Sequence, residues 1–117
     1  MAMLEKSTLN VNLGTTNTSP ANRILAASSS VARWIRGITV VNNGGAGSWN
    51  FGVGTGAVLT AANSIWFGIP IAAGATFVHY FPGRGLRLNT PATDEVMAFA
   101  SAANMTLEVS YSEQDLT

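Results

Sequence analysis

The chain has 117 residues, 47% of them hydrophobic and only 10% charged, with six Lys and Arg balanced by six Asp and Glu. It has no cysteine, which excludes disulfides and thiolate metal sites, and a single histidine, His79, which excludes a metal centre built on several imidazoles. This length fits one domain, able to bury about two-thirds of its unfolded surface without covalent staples.

The apolar pattern has period two almost throughout. Leu9, Val11 and Leu13 alternate with Thr8, Asn10 and Asn12, the mark of a half-buried strand; residues 1–8 read as an extended N-terminal segment. A polar loop at 17–22 is expected to order on contact with a partner. A short strand follows at 23–27. Residues 34–41 alternate with Arg33, Ile35, Gly37, Thr39 and Val41 on one face and Trp34, Arg36, Ile38 and Val40 on the other. Asn42-Asn43-Gly44-Gly45 is a turn signal, and Trp49, Phe51 and Val53 then alternate with Asn50 and Gly52, so residues 38–53 read as a β-hairpin. In the next strand Ile65, Phe67 and Ile69 share a face that reads as core, with Trp66 outward; Pro70 ends it or marks an edge. Residues 76–81 form a strand with Val78 and Tyr80 opposite Phe77 and His79. Pro82-Gly83-Arg84-Gly85 is a turn, Leu86 and Leu88 flank an outward Arg87, and residues 89–94 form a loop. A strand over 95–101 has an ambiguous inner face. In the last strand Met105, Leu107, Val109 and Tyr111 point inward. Helical signal is confined to single turns near 20–27 and 57–63. The expected fold is therefore all-β: one β-sandwich domain over residues 1–117, jelly-roll-like, with about eight or nine short antiparallel strands.

Charge is distributed unevenly along this pattern. Residues 1–87 hold Lys6, Arg23, Arg33, Arg36, Arg84 and Arg87 against Glu5 alone, a balance of +5. Residues 88–117 hold Asp94, Glu95, Glu108, Glu113 and Asp115 with no base, a balance of −5. Between Arg36 and Arg84 lie 47 consecutive residues without Lys, Arg, Asp or Glu, where average composition would place about ten. Such a span crosses a membrane, fills a core, or is covered by other protein. Gly68, Pro70 and Gly74 interrupt its longest apolar run, which falls short of the ~20 residues a transmembrane helix needs. Residues 1–6 also lack the apolar core of a signal peptide. A covered sheet face is the reading that remains.

No catalytic, cofactor or metal constellation emerges. Asp94-Glu95 is the only adjacent carboxylate pair, and strand neighbours point to opposite faces. Gly52-Val53-Gly54-Thr55-Gly56 lacks the Lys-Ser/Thr of a phosphate loop. The neutral overall charge argues against a nucleic-acid module. The sequons Asn17-Thr18-Ser19 and Asn104-Met105-Thr106 carry little weight without a secretion signal. The residue types instead suit binding. Arg33, Arg36, Arg84 and Arg87 are candidates for carboxylate pairing across an interface, with the acidic C-terminal segment as one source of partners. Trp66 and Tyr80 are candidate interface residues; Trp49, Trp66 and Tyr80 are also candidate platforms for a sugar ring, with core the stronger reading for Trp49.

The stretch from Ile38 to Leu88 contains Val40-Val41-Asn42-Asn43-Gly44, Ala62-Asn63-Ser64-Ile65-Trp66-Phe67, Ile69-Pro70-Ile71-Ala72-Ala73-Gly74 and Gly85-Leu86-Arg87-Leu88, with Met105-Thr106-Leu107-Glu108-Val109 near the end. Over residues 35–112 this order resembles small β-sandwich virion proteins of tailed bacteriophages, a family that includes head decoration (cement) proteins and neck and tail components. The resemblance implies a non-enzymatic structural protein made in the host cytoplasm. Its expected place is the outer surface of the capsid, bound to the major capsid protein and self-associated, often as a trimer. A tail or neck module touching the host surface, and a glycan there, is the alternative.

Overall fold

The computed structural model describes residues 5–18, 20–28, 30–54, 58–88 and 95–115. Nine strands run in the order β1 (Glu5–Asn12), β2 (Arg23–Ala26), β3 (Val31–Asn42), β4 (Gly47–Gly54), β5 (Ser64–Ile71), β6 (Thr76–Tyr80), β7 (Leu86–Arg87), β8 (Glu95–Ala100) and β9 (Met105–Asp115). One sheet has the order β1-β9-β3-β6, with β7 also on β3; the other has the order β2-β8-β4-β5. β1 pairs with β9, β2 with β8, β3 with β6, and β4 with β5, all antiparallel. That is the pairing of one long hairpin rolled around a core, the winding of a jelly roll. β7 adds two residues beside β3, at Trp34 and Ile35, beyond the end of β6. The all-β sandwich expected from the period-two pattern is the fold observed.

The inner faces meet in a core of Ile35, Ile38 and Val40 from β3, Leu107 and Val109 from β9, Trp49 and Phe51 from β4, and Val96, Ala98 and Ala100 from β8. Each large side chain buried here contributes about 1.5–3 kcal/mol. On the outer face of β4 and β8, Leu59 and Met97 are also buried. Asn17 holds Leu59 there by donating Nδ2–H to its carbonyl (2.8 Å) and accepting its N–H at Oδ1 (2.9 Å). Asn22 Nδ2 donates to the same Asn17 Oδ1 at 3.2 Å. The 17–22 loop therefore already has partners within the chain, against the expectation that it orders only on contact.

Several sequence expectations need correction. Residues 38–53 are not a hairpin, because β3 and β4 lie in different sheets. Asn42, fully buried at the end of β3, turns the chain out of its sheet. Its Nδ2 donates to the carbonyls of Gly45, Ile71 and Ala72 at 2.9–3.2 Å, and its Oδ1 accepts the Gly44 N–H at 2.9 Å. One amide thus ties the β3–β4 corner to the β5–β6 corner. Residues 5–8 are not a separate extension: they pair in β1 with Ser110–Glu113 of β9, while residues 1–4 lie outside the described residues. The 89–94 loop and Asp94 of the carboxylate pair also lie outside them. Pro70 does not stop β5; it sits within it, on a strand at the sheet edge, where a missing N–H is tolerated.

Strict alternation also fails in β3. Ile35 pairs with Tyr111 but Gly37 with Ser110, so Arg36 is an extra residue in a β-bulge. Ile35, Ile38 and Val40 are inward, while Trp34 and Arg36 turn to the outer face. The turn after β6 fits against this bulge. Phe81 N–H donates to the Arg36 carbonyl at 2.8 Å, and Gly85 lies so close that a Cβ there would collide with the Ile35 carbonyl oxygen. Gly85 also has φ +99°, in the left-handed region that favours glycine.

Gly68 has φ +65° with open space around it, so the two glycines separate strain from collision. Gly68→Ala should lower stability by about 1 kcal/mol from backbone strain alone, and Gly85→Ala by about 3 kcal/mol or more from strain plus collision. Urea titration of both variants checks the order; equal losses would contradict the close approach at Ile35.

Candidate functional site

The charge-free span builds one whole side of the sandwich. β5 and β6 are edge strands of opposite sheets, joined by a tight turn in which Ala75 N–H donates to the Ala72 carbonyl at 3.0 Å. Between them the sandwich is closed by aromatic rings. The Trp66 ring lies 5.6 Å from Trp49, 5.7 Å from Phe51, 5.5 Å from Phe77, 5.0 Å from His79 and 5.9 Å from Phe81. Phe77 also meets Trp49 at 4.8 Å, and His79 meets Phe81 edge-on at 4.9 Å. The contacts are tilted or edge-on, the arrangements that ring quadrupoles favour at about 0.5–1.5 kcal/mol per pair.

This reverses the predicted facing of β5. Trp66 is inward and half-buried, while Ile65 is 42% and Phe67 44% exposed. The cause is a bulge. Trp49 pairs with Ile69 and Phe51 with Trp66, so β4 advances two residues while β5 advances three. Gly68 takes up the extra residue, and the buried Asn50 Oδ1 accepts its N–H at 2.7 Å. Ile69 and Ile71 are inward after the bulge and Trp66 before it. Trp66 is thus neither an outward interface anchor nor a platform for a sugar ring. On β6 the two expected faces are observed, and the structure assigns them: Val78 is 47% and Tyr80 75% exposed, with Phe77 and His79 half-buried. The two edge strands therefore expose Ile65 and Phe67 on the outer face of one sheet and Val78 and Tyr80 on the outer face of the other, two pairs that flank the edge side of the sandwich with no Lys, Arg, Asp or Glu between them in the sequence. Natural sheets usually blunt their edges with charge; here Pro70, the Gly68 bulge and a second register shift between Trp66 and Ser64 interrupt β5.

The four predicted arginines divide into two groups. Arg33 is satisfied within the chain: its Nε donates to Glu113 Oε2 at 2.8 Å and its Nη1 to the Ala26 carbonyl at 2.6 Å. It clamps β3 to β2 of the opposite sheet and is not a free interface cation. Arg23, from the same basic segment, pairs with Glu95 at 3.1 Å. Two of the acidic residues expected to serve a neighbouring copy are thus used internally. Arg36, Arg84 and Arg87 instead gather on the outer face of the β1-β9-β3-β6 sheet. The Arg84 and Arg87 guanidinium carbons lie 5.9 and 5.4 Å from the centroid of the Trp34 ring. Arg36 Nη1 donates to Ser112 Oγ at 3.3 Å, and Ser112 is Trp34's cross-strand partner. Tyr80 lies over Gly37, where a Cβ would come within 2.8 Å of the Tyr80 ring. Arg36, Tyr80, Phe81 and Ser110 line an open depression of about 230 Å³.

Trp34 was not singled out by sequence reasoning, because Ile38 and Val40 appeared to share its face. The Arg36 bulge removes that equivalence. Among the described residues, no group of three or more His, Asp or Glu side chains stands close enough to hold a metal ion. No protein-family model matches this chain, and no curated protein matches its sequence.

Trp66→Ala should cost about 2–4 kcal/mol, because it opens a cavity between the sheets. Phe67→Ser should change stability by no more than about 0.5 kcal/mol. Chemical denaturation of the two variants checks the inverted facing of β5; the opposite ranking would contradict it.

Proposed function

We propose that this chain is a virion structural protein of a tailed bacteriophage, most specifically a capsid decoration protein that binds the outer shell and stabilises it through protein–protein contact. The phage assignment rests on the resemblance carried by residues 35–112. The binding role rests on one observation: the edge strands β5 and β6 expose Ile65 and Phe67 on one outer face and Val78 and Tyr80 on the other, either side of an edge built from a stretch of sequence without a charged residue. A free surface of this kind carries a standing risk of association, and a shell neighbour or a second copy removes it. A cement protein needs no reactive group. It stabilises the assembled state by mass action, in proportion to how much more tightly it binds that state.

A tail or neck position would use the same side against far fewer partners. Copy number therefore separates the two readings. In virions purified from the encoding phage, gel densitometry should find on the order of hundreds of copies per particle, as repeated shell sites require; a few copies would favour the tail or neck position. Phe67→Asp combined with Val78→Asp places a charge on each of the two faces flanking the β5–β6 edge and should release the protein from particles while its own unfolding midpoint barely moves. Retention of the double variant at full occupancy would show that another face makes the contact.

A further inference from the structure

Among the described residues, the arginines without a carboxylate partner are not scattered. Among the described residues, Arg23 and Arg33 have ion pairs, whereas Arg36, Arg84 and Arg87 lie together around Trp34 with none. Three cations crowded on one face repel each other, so the arrangement needs a physical reason. Trp34 supplies part of it. The ring is on the outer face yet only 7% exposed, consistent with the two guanidinium groups above it. A guanidinium held over an aromatic face keeps its edge N–H groups free and loses rotamer freedom before any ligand arrives. The backbone fixes the same geometry: Gly85 allows the Arg84 turn to press against Ile35, and the bulge directs Arg36 to Ser112. Beside Arg36, the 230 Å³ depression is walled by Tyr80, Phe81 and Ser110, which gives apolar and hydroxyl surface next to the cations.

We infer that Arg36, Arg84 and Arg87, preset by Trp34, Ser112 and Gly85 and flanked by Tyr80, form a recognition site for the carboxylates of an acidic polypeptide segment on a binding partner. The planar fork of arginine matches a carboxylate in bidentate fashion. The site is compact, which favours a peptide over a nucleic acid. A phosphate backbone asks for a basic track, and along β9 this face passes from Ser112 and Ser110 to the exposed Glu108. The inference extends the reading of this chain as a protein-binding module and does not depend on which particle it belongs to.

The test is fluorescence anisotropy of the full chain at low salt with three probes: a labelled peptide of alternating Glu and Gly, a labelled oligothymidylate of equal charge, and inorganic phosphate as competitor. The peptide should bind, and Arg36→Gln should weaken it by about tenfold, the loss of one charge-assisted contact, with the Arg84→Gln/Arg87→Gln pair weakening it by more than about tenfold. Arg84→Lys/Arg87→Lys keeps the charge but lacks the fork, and should weaken binding nearly as much. Arg23→Gln should leave it unchanged. Urea midpoints within error of the parent establish that each variant is folded. Peptide binding that is absent, or indifferent to these arginines, overturns the proposal. So does tighter binding of the oligonucleotide, or displacement by millimolar phosphate, since either makes the site a phosphate site. Copy number on virions is read separately, so failure here leaves the decoration reading standing, and the reverse.

Discussion

One glycine decides what this protein shows to its surroundings. Gly68, at φ +65° in the edge strand β5, absorbs an extra residue and shifts the alternation of the strand by one. Trp66 therefore points between the sheets, and Ile65 and Phe67 point out. Without the bulge Trp66 would face solvent, and the side where β5 and β6 run as free edges would lack the ring that touches Trp49, Phe51, Phe77, His79 and Phe81. Asn50 fixes the bulge by accepting the Gly68 N–H. The same shift that closes the core thus creates the apolar exterior, so the interior packing and the candidate docking surface are two consequences of one backbone irregularity.

A second bulge, at Arg36, does comparable work on the broad face of the other sheet. It releases Trp34 and Arg36 from the inward register of Ile38 and Val40 and makes room for the turn carrying Arg84. The result is a division of labour between two surfaces that meet at β6. One is the uncharged β5–β6 edge, flanked by apolar side chains of both sheets, and suits burial against protein. The other is cationic and aromatic and suits recognition of carboxylates. Tyr80 stands between the two. A module with both can gain affinity from apolar burial and register from charge, since electrostatic complementarity sets orientation more than it sets strength.

The architecture was legible because period-two alternation survives wherever the strands are regular. In β9 and β4 the inward residues are those that the pattern assigned, and eight or nine strands with Gly-rich connections led to the jelly roll. What the sequence hid were departures from periodicity. A bulge adds one residue without a distinctive composition, so Ile65, Phe67 and Ile69 looked like a continuous face although Gly68 divides them. The apparent hairpin at 38–53 failed for a related reason: Asn42-Asn43-Gly44 marks a reversal, but whether a reversal stays in one sheet depends on the partners of the buried Asn42 amide, Ile71 and Ala72, which come from a distant turn. Of the predicted interface residues, Arg36, Arg84, Arg87 and Tyr80 come together on one face. Arg33 does not, because Glu113 and Ala26 reach it only once β9 and β2 are in place.

The proposed function requires the β5–β6 edge to be covered by a partner in the particle. Amide hydrogen exchange, compared between the isolated chain and the chain bound to purified virions, tests it most directly. Strong added protection is expected across residues 64–71 and 76–80, whose outer backbone edges are unpaired in the isolated chain, with little change in β1 and β2 on the opposite side. Unchanged exchange in β5 and β6, with protection appearing on β1 and β2 instead, would contradict it.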